Sequence, residues 1–215
     1  MARKASWILL VVFALIIGLY PAIYFLIDRK FGLLASKSGE LLSSIFWNIG
    51  FYTHIILAGI ALLIGWTQFR PKARMKNLQL HRQIGKAYII AVIFSSIAGI
   101  YIAFFATGGI VSSLGFICLG IIWFCTTIAA YSYIRNGQIE KHQAMMIYSY
   151  AACFAAVTLR IWLPILAAIF GDFNIAYKIV AWLCWVPNLI VAKFIVKKQA
   201  ADSPQAATFN VSRAQ

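Results

Sequence analysis

Charged residues are scarce in this sequence, and acidic residues especially so. Only 11% of its 215 residues are charged, five of them acidic, whereas 63% are hydrophobic. Soluble domains carry about 25% charged residues, so the composition excludes an ordinary soluble domain. Long apolar runs recur along the whole chain, which predicts a protein that crosses the membrane several times.

Disulfide and zinc-binding patterns are also missing. The sequence contains neither a CxxC nor an HExxH motif. All four cysteines lie within apolar runs, at Cys118, Cys125, Cys153 and Cys184. Such positions are typical of small buried side chains and favour neither a disulfide framework nor a zinc site.

The N-terminus lacks the cleavage site of a secretory signal peptide. It opens MARKASWILLVVFALIIGLY, a basic start followed by a long apolar run of bulky residues without an A-x-A pattern. A signal peptide has a shorter apolar core that ends in small residues. We therefore expect this segment to remain as the first membrane helix.

Six apolar segments are each near or above the roughly 20 residues needed to cross the hydrocarbon layer. A backbone in lipid must satisfy its own hydrogen bonds, and strand-like alternation is absent, so the segments are predicted to be helices. The fold class is therefore an all-α integral membrane protein, a bundle with a four-helix core formed by helices two to five. Residues 1–199 form the transmembrane domain, and 200–215 a flexible cytoplasmic tail. The predicted spans are 6–27, 45–69, 87–107, 110–134, 144–170 and 175–196.

Basic residues concentrate in alternate connectors. The connector between the second and third spans has no acid and contains Arg70, Lys72, Arg74, Lys76, Arg82 and Lys86. On the opposite side, the first connector pairs Arg29, Lys30 and Lys37 with Asp28 and Glu40. This asymmetry predicts that both termini are cytoplasmic. It also accounts for most of the net charge of +14 without a nucleic-acid partner.

Ionisable residues inside the spans are the strongest functional signal. At 1.5 Å per residue, Arg160 lies about 24 Å from the cytoplasmic end of its helix, and His54 lies about 8 Å below the outer surface. Both are therefore expected in the outer part of the bilayer. Since no acid lies within a helix core, Arg160 must bond backbone carbonyls, meet Asp28 or Glu40, reach a lipid phosphate or hold a bound ligand. A purely structural arginine and a ligand-binding arginine both remain open.

Helical phase places a stripe of small residues on three helices, each with one histidine. Close helix packing explains the small residues but not the imidazoles. The three stripes are His54, Ala58, Ala61, Gly65 and Gln68; His81, Gly85, Tyr88, Val92, Ser95 and Gly99; and His142, Met146, Ser149, Cys153, Ala156 and Arg160. We expect all three stripes to face the bundle interior.

His81 and His142 are predicted to lie at one level, just inside the cytoplasmic surface. Two neutral imidazoles on facing helices can bind a haem iron from both sides. Interfacial histidines also occur as helix caps or lipid contacts, so this alternative stays open. His54 has no second histidine at its depth, which limits the chain to one such haem.

The same residues carry a resemblance to a known family. The pattern H-x4-G-x5-G-x2-QFR from His54 to Arg70 is followed by LHRQIGKAY and by HQAMMIYSYAACFAAVTLR, which ends at Arg160. Together they resemble the bacterial multi-pass membrane-protein family catalogued as domain of unknown function twenty-three-oh-six. The resemblance implies a bacterial cytoplasmic (inner) membrane location but imports no activity. The family's usual HR-x-W-M-I-R form is replaced here at Gln143, Met145 and Tyr148.

Three functions are consistent with these observations. The first is a membrane redox protein that holds haem b between His81 and His142, or a quinone headgroup, with His54 and Arg160 forming a separate anion or quinone-carbonyl site. The four-helix core is similar in outline to ascorbate-reducible transmembrane cytochromes b, although three histidines are too few for their two haems.

The second function is a non-enzymatic assembly factor or accessory subunit, with protein partners in the membrane. Its interface or membrane belt would include Trp47, Trp66, Trp182 and Trp185. The third is a small anion transporter. Two absences disfavour it: the sequence shows no inverted repeats, and it predicts no helix breaks other than those at Pro164 and Pro187. The lipid bilayer is a partner in all three.

The topology is testable by cysteine accessibility. A membrane-impermeant thiol reagent applied from the cytoplasmic side should label a cysteine placed at Lys76, because the basic connectors face the cytoplasm. It should not label one placed at Gly109. Labelling of Gly109 but not Lys76 would contradict the predicted orientation.

Overall fold

A computed structural model describes residues 2–26, 32–70 and 75–202. Within these stretches every regular element is helical, and no strand is present. Parts of several predictions lie outside the described residues: the tail from 203 to 215, the connector residues Asp28, Arg29, Lys30, Lys72 and Arg74, and the side chain of Arg3.

Six segments are long and apolar enough to cross a membrane, as the sequence predicts. The first contains α1 (Ala2–Leu19), a 3-10 turn (Tyr20–Ala22) and α2 (Ile23–Leu26). The first connector contains a 3-10 segment (Gly32–Ser36) and α3 (Gly39–Ser43). The remaining spans are α4 (Ile45–Gly65) with a 3-10 turn (Trp66–Phe69), α5 (Leu78–Ala103), α6 (Ile110–Arg135), α7 (Ile139–Cys153) with α8 (Ala155–Phe170), and α9 (Phe173–Leu183) with α10 (Val186–Ala201).

The third span begins earlier than predicted. The sequence pattern places its start near residue 87, whereas α5 begins at Leu78. Asn77 caps this helix, because its side-chain oxygen accepts a hydrogen bond from the Leu80 amide at 2.8 Å. The first turns carry exposed basic residues, including Arg82 and Lys86, which lower the apparent hydropathy although the backbone is already helical.

The fifth and sixth spans are both interrupted near their middle. The interruptions lie at Phe154 and at Cys184 with Trp185. The expectation that breaks occur only at prolines is therefore wrong. Helix α8 continues through Pro164, and Pro187 lies in the first turn of α10, where a missing amide proton costs no helical hydrogen bond.

Side chains satisfy the carbonyl groups at these interruptions. The Asn188 amide donates to the carbonyl of Ala151 at 3.3 Å and to that of Cys184 at 3.0 Å. The Thr158 hydroxyl also donates to the Cys184 carbonyl. Because an unbonded carbonyl is costly in hydrocarbon, these bonds stabilise both interrupted helices and hold them side by side.

A buried hydroxyl network joins the middle helices. The Ser149 hydroxyl of α7 lies 2.9 Å from the Tyr88 hydroxyl of α5 and 2.7 Å from the Thr127 hydroxyl of α6. The Tyr150 hydroxyl donates to the Leu62 carbonyl of α4 at 3.1 Å. Ser149 and Tyr88 are buried, as their stripes predict. The network therefore links the four helices that the sequence assigns to the core.

Glycines let α1 and α4 approach closely. A Cβ at Gly59 would lie only 2.7 Å from the backbone oxygen of Gly18, which no side-chain rotation can relieve. By contrast, a Cβ at Gly39 would meet nothing within 4 Å. The contact between α1 and α4 therefore depends on the missing side chain at Gly59.

We expect Gly59→Ala to destabilise the purified protein by about 1–3 kcal/mol, because the added methyl group overpacks a backbone contact. The measurement is thermal unfolding in detergent, with Gly39→Ala as the matched control of equal chemical change. Unfolding temperatures that are the same for wild type and both variants would contradict the close approach of α1 and α4.

Candidate functional site

An internal cavity of ≈ 210 Å³ lies between the helices. Residues from all six spans and from the first connector line it, and most of them are apolar. It lies toward the end of α5 that carries Gly99 and Ala103, whereas His81 is in the first turns of that helix. At 1.5 Å per residue, about 27 Å separates the levels of His81 and Gly99 along the axis.

Arg160 faces this cavity, as helical phase predicts. Its Nη1 donates to the carbonyl of Ala156 at 2.9 Å, and its Cζ lies 4.4 Å from the centre of the Tyr20 ring. The second contact has the geometry of a cation–π interaction. A guanidinium has five N–H donors, and the Ala156 bond is the one hydrogen bond that it makes with described residues.

The sequence predicts two acidic residues, Asp28 and Glu40, as possible partners of Arg160. Glu40 is exposed in α3 and does not line the cavity, so the structure does not bring it to the guanidinium. Asp28 lies outside the described residues. No ion pair joins Arg160 to an acid within the described part of the chain. The sequence offered several partners for Arg160, and the structure confirms one of them, a backbone carbonyl, that of Ala156.

His54 lines the same cavity as Arg160. Its Nδ1 lies 2.9 Å from the carbonyl oxygen of Ser95. Because a carbonyl only accepts, Nδ1 carries the proton, and Nε2 of the neutral ring is an acceptor. The Ser95 hydroxyl donates to the His54 carbonyl at 3.0 Å, which holds α4 and α5 in register.

Gly99 explains why the imidazole fits between α4 and α5. A Cβ at this position would lie 2.7 Å from Nδ1 of His54. The small residue at the end of the third-helix stripe therefore provides room for the histidine of the second-helix stripe.

Lys37 also lines the cavity, and sequence reasoning missed it. Its Nζ donates to the carbonyl of Phe105 and, at 3.1 Å, to the Thr107 hydroxyl. Burial lowers the pKa of Lys37 from its ordinary value. Lys37 is the one lysine or arginine between Lys30 and Arg70. In the sequence it contributed only to the prediction of membrane orientation, because a connector has no periodicity that indicates where a side chain points.

Trp47 was assigned to an exposed interface or membrane belt, and that prediction is wrong. Its side chain is 2% exposed, lines the cavity and stacks on Phe51 with ring centres 5.1 Å apart. Its Nε1 has no hydrogen-bond partner among the described residues. Trp185 is likewise buried, whereas Trp182 is exposed. Trp47 therefore contributes its indole ring to the cavity wall, while its Nε1 is buried within the protein.

His81 and His142 do not line the cavity. The Nδ1 of His142 lies 2.8 Å from the carbonyl oxygen of Ala130 on α6. His81 is partly exposed in the first turns of α5. Their shared role as haem ligands stays a prediction.

Comparison of the sequence with known protein families finds a match to one family. The family model described as "Predicted membrane protein (DUF2306)" matches residues 51–196. No curated protein and no solved structure matches the chain. His54, His81, His142 and Arg160 lie within the matched residues, whereas Lys37 and Trp47 precede them. Since the match covers more than half of the chain, this protein belongs to the DUF2306 family of predicted membrane proteins.

Proposed function

We propose that this protein is a membrane redox protein that binds a quinone headgroup in the cavity beside Arg160 and His54. The observation that carries the proposal is an apolar cavity of ≈ 210 Å³ with hydrogen-bonding groups of both kinds at its wall. A cavity of about 150 Å³ can hold benzene, and pockets for drug-sized ligands measure roughly 300–1,000 Å³. The volume therefore fits one substituted ring system.

The polar groups at the wall suit both redox forms of such a ring. Arg160 donates hydrogen bonds, which the carbonyl oxygens of a quinone accept. The Nε2 of His54 accepts, and a hydroxyl of the reduced ring donates. Apolar side chains around these groups exclude water, which strengthens each of these hydrogen bonds. A quinone would supply the redox chemistry, and the chain's own residues would bind the ring and accept a proton at Nε2.

A haem b site at the opposite end of the bundle is the second candidate. It is supported by the hydrogen bond from Nδ1 of His142 to the carbonyl of Ala130, at 2.8 Å. Histidines that bind metals commonly donate their other N–H to such a carbonyl, which leaves Nε2 for the metal. His142 and His81 would hold the iron, and haem would supply one-electron transfer.

Quinone binding is measurable with menadione, a quinone without a tail, added to the protein in nanodiscs. We expect saturable quenching of tryptophan fluorescence, because Trp47 and Trp123 line the cavity. Arg160→Leu should weaken binding roughly 10- to 100-fold, the equivalent of a hydrogen bond to a charged group. Arg160→Lys should also weaken it, because an ammonium lacks the planar fork of donors.

The matched control is Arg135→Leu, which removes an exposed arginine at the other end of α6. It should bind menadione like the wild type. Quenching that never saturates, or that is equal in all variants, would mean that menadione only partitions into the lipid. That result would contradict the proposal.

The haem candidate is tested by the absorbance spectrum of protein purified from cells with ample haem. We expect a Soret band that His142→Ala removes or shifts, because the variant lacks one axial ligand. Absence of the band excludes haem. A band unchanged in both His81→Ala and His142→Ala excludes these two ligands. If menadione and haem both fail to bind, the accessory-subunit hypothesis takes precedence.

A further inference from the structure

We infer that the cavity selects a ring ligand with an ionised oxygen, such as a hydroxyquinone anion or an aromatic carboxylate. The inference rests on the proposed function for the ring, and it adds the charge of the ligand. What carries it is the balance of charge and of hydrogen-bond donors at the cavity wall, to which Lys37 contributes alongside Arg160.

The cavity wall contains two basic residues and no acidic one. Arg160 and Lys37 both line it, and none of the described lining residues is Asp or Glu. Burying a charge in apolar surroundings is costly unless an opposite charge or several hydrogen bonds offset it. An anionic ligand would bring negative charge into a cavity whose described wall carries only positive charge.

The acidic residues that the structure describes are engaged or distant. Glu40 is exposed in α3, and Asp172 caps α9, where its carboxylate accepts from the amides of Asn174 at 2.6 Å and Ile175 at 3.3 Å. Glu140 begins α7 and Asp202 follows α10, both at the bundle end opposite the cavity. Asp28 is the remaining acid of the sequence, and a variant of it is included in the test.

Donors outnumber acceptors among the polar side chains at the wall. Among the described residues, Arg160 makes one hydrogen bond, to the carbonyl of Ala156, although a guanidinium has five N–H donors. Lys37 has three ammonium protons, and it donates to Phe105 and Thr107. His54 also lines the cavity, and with Nδ1 protonated its Nε2 is an acceptor. An excess of fixed donors, two of them charged, favours an oxygen anion.

The test compares three ligands of nearly equal ring size. Menadione is a neutral quinone, 2-hydroxy-1,4-naphthoquinone is a quinone that is ionised at neutral pH, and 2-naphthoate is an ionised ring without quinone chemistry. Each is titrated into the full-length protein in nanodiscs. Wild type is compared with Lys37→Gln, Arg160→Gln, Asp28→Asn and the control Lys178→Gln, which changes an exposed lysine of α9. Thermal unfolding establishes that each variant is folded.

We expect 2-hydroxy-1,4-naphthoquinone to bind wild type roughly 10- to 100-fold more tightly than menadione, as charge-assisted hydrogen bonds imply. Lys37→Gln and Arg160→Gln should each reduce this ratio, and Lys178→Gln should leave it unchanged. Equal affinities of the two quinones would overturn the inference while leaving quinone binding intact. A gain of about tenfold or more in Asp28→Asn would also overturn it, because Asp28 would then already neutralise the cavity.

The third ligand separates the two proposals. If 2-naphthoate binds as tightly as the hydroxyquinone and menadione does not bind, the anion site stands and the quinone proposal fails. If none of the three binds saturably, both fail.

Discussion

A polar group that finds no partner inside a membrane protein costs several kcal/mol, because the hydrocarbon around it offers none. This constraint determines the structure of the bundle. It explains why Asn188 and Thr158 cover the carbonyls at the interrupted spans and why Ser149 connects hydroxyls from two other helices. Arg160 differs from these groups, because its guanidinium makes one hydrogen bond with the described residues, to the carbonyl of Ala156.

The two polar regions of the bundle differ in what they can hold. Arg160, Lys37, Trp47 and His54 all line the cavity, in which we propose that an oxygen-bearing ring binds. At the other end, the Ala130 carbonyl orients the His142 ring through Nδ1. The family match includes His54 and Arg160, whereas Lys37 and Trp47 come from the segment before it.

The sequence predicted the features that depend on hydropathy and helical phase. These are the six membrane-length helices, the inward stripes that contain Ser149 and Tyr88, and the presence of His54 and Arg160 at one cavity. Depth along a regular helix follows from residue number, so two side chains on different helices can be matched from the sequence alone.

The remaining features depend on tertiary contacts that no local pattern records. The Lys37 side chain reaches the cavity because the first connector packs on the end of α5, where Phe105 and Thr107 hold its ammonium group. The helix break between α7 and α8 lies at Phe154, and no proline or glycine at that position predicts it from the sequence. Asn188 stabilises that break from the neighbouring span, 37 residues from the Ala151 carbonyl that it binds.

We propose that Arg160 serves a ligand rather than a structural ion pair, and a cryo-electron microscopy map of the protein in nanodiscs with 2-hydroxy-1,4-naphthoquinone tests this directly. We expect density for one ring system in the cavity, with an oxygen within hydrogen-bond distance of the Arg160 guanidinium. An empty cavity with an acidic side chain of this protein, such as Asp28, bonded to Arg160 would contradict it.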